Sequence, residues 1–169
     1  MKRNNKGFSL VELLVVIAIL GIASSAAFMG FNVMHNANVS NAAGSIDSIL
    51  STVRMNNMSK VQTHYLQIYR VDGFNYYRVH TEPTIDYSYR IHKLGATSTQ
   101  ISYTLDNTSY RITDNNGISI CFTRSGSCEA YKPNGTKYAT QEIKGLTFFN
   151  GTRDKSIRII AAIGKHYMK

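Results

Sequence analysis

A single carboxylate, Glu12, interrupts an otherwise apolar run from residue 8 to residue 31. The run is long enough to cross a bilayer. An acid at mid-membrane costs roughly 2.5–3.5 kcal/mol, and less near the edge. So costly a group is expected to serve a function and to have a positive partner. The other charged residues that stand out are four Tyr-Arg dyads on strand-like segments: Tyr69-Arg70, Tyr77-Arg78, Tyr89-Arg90 and Tyr110-Arg111. Neighbours on a strand face opposite sides. Tyrosines packed inward would turn Arg70, Arg78, Arg90 and Arg111 outward as a basic stripe able to hold phosphates. Arg158, Lys165 and Lys169 add positive charge near the C-terminus. The bland alternative is a solvated basic surface and tail. No nucleophile elbow, phosphate loop or paired-carboxylate motif occurs, so an enzyme is not expected. Beyond Cys121 and Cys128 there is no second Cys pair, and the five histidines are scattered, so no metal or other cofactor is expected.

Gly7-Phe8-Ser9-Leu10-Val11-Glu12 resembles the class III signal of type IV pilins and pseudopilins. The resemblance implies cleavage after Gly7 by a prepilin peptidase and N-methylation of the new N-terminus, Phe8. It implies that Glu12 sets subunit register. Cleavage would place a positive amine on Phe8, one helical turn from Glu12. Glu12 could equally face a neighbour's amine, and either pairing relieves the buried charge. Implied partners are other pilin subunits, the peptidase-methyltransferase, and the cytoplasmic membrane before assembly into a pilus or pseudopilus at the cell surface. An uncut signal anchor would also place Lys2, Arg3 and Lys6 before an apolar span. A secretory signal cleaved near Ala23-Ser24-Ser25-Ala26-Ala27 is a further alternative. Neither accounts for Glu12.

The elements that must position these residues follow from periodicity. Past residue 31, Val39, Ala42, Ile46, Leu50 and Val53 recur at helical spacing. One helix is therefore expected over residues 8–59, apolar all round at first and one-sided later. From Thr63 onward the signal is strands, punctuated by turns such as Asp72-Gly73 and Asn115-Asn116-Gly117. Expected strands cover residues 64–71, 74–80, 85–92, 100–105, 109–113, 118–123, 129–132, 142–149 and 155–163. The fold class is α+β: a long N-terminal helix packed on an antiparallel sheet or small sandwich. The expected divisions are a leader over 1–7, an apolar helix over 8–31, its amphipathic continuation over 32–60, and a β-rich head over 61–169.

Cys121 and Cys128 can pair if a hairpin with residues 123–126 as its loop sets them opposite one another. The alternative is two free thiols one residue out of register. The net charge of +9 stays basic after Lys2, Arg3 and Lys6 are removed with a leader, which favours anionic partners. The element order of the head resembles GspH-like and FimT-like minor pseudopilins and pilins more loosely. Some FimT-like pilins bind DNA through basic C-terminal surfaces, so this resemblance implies DNA as a second partner.

Overall fold

The computed structural model describes residues 9–59 and 62–169, without the side chains of 26–32 and 35. One helix, α1, runs from Leu10 to Ser59. It starts in a capping box. Ser9 Oγ accepts from Val11 N at 3.3 Å, and Glu12 Oε2 accepts from Ser9 N at 3.0 Å. The chain divides into two compact units, the residues up to Met34 and His35–Lys169. In the first, the side chains from Leu10 to Ser25 are exposed on every side of the helix.

In the second unit the helical stripe is the core. Val39, Ala42, Ala43, Ile46, Leu50 and Val53 are all buried. They meet the inner faces of two five-stranded antiparallel sheets in one apolar cluster. The first sheet has the order β3-β2-β1-β6-β7, with β1 Tyr65–Val71, β2 Phe74–His80, β3 His92–Lys93, β6 Asn116–Phe122 and β7 Cys128–Tyr131. The second has the order β10-β9-β8-β4-β5, with β4 Gln100–Leu105, β5 Thr108–Arg111, β8 Ile143–Phe149, β9 Asp154–Ile160 and β10 Lys165–Met168. The architecture is α+β. Asp72 and Gly73 both take positive φ between β1 and β2, as the tightest hairpin turns require. Asn57, 3 % exposed, ties the last turns of α1 to the strands. Its Nδ2 donates to His64 O at 2.8 Å and Phe122 O at 3.0 Å, and its Oδ1 accepts from His64 N at 2.8 Å.

Two expected strands differ. Residues 85–92 form no strand apart from His92, which opens the short β3. The segment before it straps the outer face of the first sheet through side chains. Gln67 Nε2 donates to Glu82 O and Thr84 O, Tyr69 Oη to Tyr89 O, and Ser119 Oγ to Pro83 O. Those bonds satisfy the strap's carbonyls without a ladder, so its β-prone residues need no strand neighbour. The run expected over 155–163 ends at Ile160, turns, and returns as β10. The basic end of the chain is therefore a strand, with Lys165 and the following Lys169 exposed.

Candidate functional site

Gly7 and Phe8 lie outside the described residues. Glu12 sits at the third helical position of α1, where a carboxylate meets the exposed N–H groups of the first turn. Its carboxylate accepts from the Ser9 amide. Among the described residues no helix is long and apolar enough to cross a membrane. The expected span over 8–31 reaches outside the fully described residues at both of its ends.

The seven cations expected to contact an anion separate into two groups. Arg70, Arg78 and Arg90 do not form a stripe. Both faces of the first sheet are covered, by the core and by the strap, so no open face remains for them. Arg70 turns inward at the sheet end, donates to Asn75 Oδ1, Thr97 O and Thr99 O, and lies 3.5 Å from Asp114. Arg78 is 6 % exposed; it donates to Gln67 Oε1 at 3.0 Å and its Cζ lies 4.7 Å from the Tyr89 ring centre. Arg90 pairs with Asp72 at 2.6 Å.

Arg111, Arg158, Lys165 and Lys169 come together on the outer face of the second sheet. Registers fix their places. Tyr167 of β10 faces Arg158 of β9, which faces Gly145 of β8, then Thr104 of β4 and Ser109 of β5. The next row runs Lys169, Ser156, Thr147, Ser102, Arg111, its first step closed by backbone bonds between Lys169 and Ser156. Lys165 and Ile160 form a row on the other side. Inner residues such as Ile157, Leu146 and Ile101 alternate with these and are buried. Among the described residues, none of the four cations makes an ion pair or a side-chain hydrogen bond. The cations of the first sheet and strap are each engaged, so the anion-seeking charge of the head concentrates here.

Two local features shape this face. A bulge sets both Ile143 and Gly145 against consecutive β4 residues, so Lys144 is extra, and its ammonium pairs with Glu142 at 2.6 Å. A Cβ on Gly145 would stand 2.5 Å from Ile157 O, so only glycine fits there. The result is a cavity of about 500 Å³ lined in part by Thr104, Asp106, Asn107, Lys144, Arg158 and Tyr167.

The cysteines do not face one another. Cys121 stands opposite Glu129 and Cys128 opposite Phe122, so the register is one residue away from the expected one. Alternation points the two thiols to opposite faces of the sheet, and both are free and buried. Burial, above all, pushes the Cys121 thiol up to about 12. It raises Cys128 as well.

The fold also gathers Asp47, Ser51 and His166, which sequence spacing does not connect. Ser51 Oγ lies 2.9 Å and Asp47 Oδ1 4.0 Å from the same ring nitrogen, His166 Nε2. A nucleophilic triad needs the hydroxyl and the carboxylate on different nitrogens, so this cluster does not activate Ser51. Among the described residues no group of His, Cys, Asp and Glu could hold a metal ion.

Sequence reasoning missed the capping box, although Ser9-x-x-Glu12 is its readable signature. It also missed the hydroxyl floor of the second sheet, because strand order decides which hydroxyls become neighbours.

Residues 2–28 match the family described as the prokaryotic N-terminal methylation motif. No curated protein and no solved structure matches the chain. The motif supports a type IV pilin-like precursor.

Proposed function

We propose that this chain is a minor pilin or pseudopilin: a structural and assembly subunit of a type IV pilus-like filament, cleaved after Gly7 and methylated at Phe8. The observation that carries the reading is the methylation motif at residues 2–28, with its lone acid in an apolar helix start. The side chains from Leu10 to Ser25 have no cover in the single chain. Such a surface is buried either by lipid or by like helices. In the membrane residues 8–31 form the span, N-terminus inside. In a filament the same surface packs against other subunits, and Glu12 meets a terminal amine. The test is the N-terminus and intact mass of the protein from native membranes. A chain beginning at N-methylated Phe8 supports the reading. A chain beginning near Ala26, or an uncut chain in cells with an active prepilin peptidase, defeats it.

A second reading has an observation of its own. Arg111, Arg158, Lys165 and Lys169 share one open sheet face. That face suits a polyanion, and DNA during uptake is the partner implied by the looser resemblance. Phosphate-driven binding weakens steeply with salt. Failure of the full-length protein in detergent to bind any polyanion at low salt would end this second reading and leave the first untouched.

A further inference from the structure

The open face of the second sheet carries a row of hydroxyls with a cation at each end. Its central row is Ser156, Thr147 and Ser102, with Lys169 at one end and Arg111 at the other. Four strand spacings separate those ends, about 19 Å. We propose that this face binds an acidic polysaccharide, a chain of sugars bearing carboxylates. The proposal rests on the reading of this face as a polyanion site and names the polymer.

Three features favour sugar over nucleic acid. Hydroxyls both donate and accept, as sugar hydroxyls do; phosphate oxygens only accept and call for cations along the whole track. Thr147 Oγ1 and Ser156 Oγ already lie 3.3 Å apart, within reach of one bridging sugar hydroxyl. Single-stranded nucleic acid also needs aromatic platforms along its path. This face offers no aromatic track: Tyr167 stands on the edge strand β10, and Phe149, the one exposed ring on the central strand β8, is paired across the strands with Asp154, whose carboxylate repels phosphate. Finally, the cavity at Gly145 brings Asp106 and Asn107 to the same wall as Arg158 and Tyr167. Asp106 Oδ1 already accepts from the Glu142 amide, and its other oxygen can accept from a sugar hydroxyl, a donor that phosphate oxygens lack, while Arg158 takes the sugar's carboxylate and Tyr167 its apolar ring face. The cavity volume of about 500 Å³ lies within the range of small-ligand sites.

The test uses the full-length protein in zwitterionic detergent and fluorescence anisotropy at about 0.15 M salt. The probes are a labelled oligogalacturonate, a neutral malto-oligosaccharide, and single- and double-stranded oligonucleotides of equal net charge. The oligogalacturonate is expected to bind, the neutral sugar not, and the oligonucleotides about tenfold more weakly or not at all. The variant S102A/T147V/S156A, altered only on the outer face, is expected to lose about tenfold in glycan affinity and keep its oligonucleotide affinity. Should the triple variant fail to fold, T147V alone is read the same way, with a smaller loss. Oligonucleotides binding as tightly as the glycan would overturn the assignment of the polymer and spare the polyanion reading. Undiminished glycan binding by the folded variant would overturn it too. Absence of binding to every polyanion at low salt would overturn both.

Discussion

His166 Nε2 of β10 lies 2.9 Å from Ser51 Oγ of α1 and 3.2 Å from the Asp47 carbonyl. A carbonyl only accepts, so Nε2 is the donor toward it. The ring also leans on Phe122, with ring centres 6.1 Å apart. These contacts fasten the last strand to the helix. His166→Ala should lower stability by about 1–2 kcal/mol, one net hydrogen bond plus lost packing. Urea denaturation of the full-length protein in detergent measures it, and an unchanged midpoint would show that β10 is held by its ladder alone.

Glu12 has a local role beside its proposed filament role, and two variants separate them. Ser9→Ala removes half of the capping box and keeps the carboxylate; it should cost about 1 kcal/mol of helix stability at most and leave filament incorporation near normal. Glu12→Gln keeps an acceptor for the Ser9 amide and removes the charge; incorporation should fall sharply while the head stays folded. Immunoblots of sheared filaments read both, and equal incorporation of the two variants would deny the charge a part in register.

The thiols set an alkaline limit. Burial holds Cys121 up near 12, against an ordinary value of 9.0, and raises Cys128 too. The unfolded chain therefore loses its thiol protons first as pH rises. The stabilisation is complete below pH 9.0 and is lost progressively as pH climbs toward 12. The slope is roughly 1.4 kcal/mol per pH unit for each thiol. Denaturation midpoints should be flat near neutrality and fall above that limit, and Cys121→Ala should flatten part of the fall. Maleimide at neutral pH should label neither thiol until the head is unfolded.

Asn57→Ala should be among the more damaging single changes in the head. It strips partners from the His64 amide and the His64 and Phe122 carbonyls at once. Leaving such groups buried costs roughly 1–3 kcal/mol each, though water reaching the half-buried His64 will reduce the sum. A thermal melt showing less than about 1 kcal/mol of loss would mean that water replaces the amide completely.

How much was legible follows from which forces are local. The helix and the hairpin of β1 and β2 were readable because their apolar spacing and the Asp72-Gly73 turn act within a few residues. Residues 85–92 misled because Ile85, Tyr87 and Tyr89 are good strand formers, yet the carbonyls beside them are claimed by Gln67, Tyr69 and Ser119 from a sheet already formed. Cys121 and Cys128 missed each other by one residue because the tip is set by Thr123 N bonding Ser127 O, and that closure fixes the register. The cations divided for a topological reason. Arg70 and Arg158 look alike in sequence, but the first sits in a sheet covered on both faces and the second in a sheet covered on one.

Asn57 has a mechanical consequence. In the proposed filament role the subunit is held by its helix, so any tension on the filament would enter the head along α1. The buried stripe from Val39 to Val53 meets that pull in shear, many contacts at once, and the amide of Asn57 adds three hydrogen bonds at the far end. A chain pulled this way cannot be unpeeled one contact at a time. The head would resist extraction from its own helix more strongly than its equilibrium stability alone suggests.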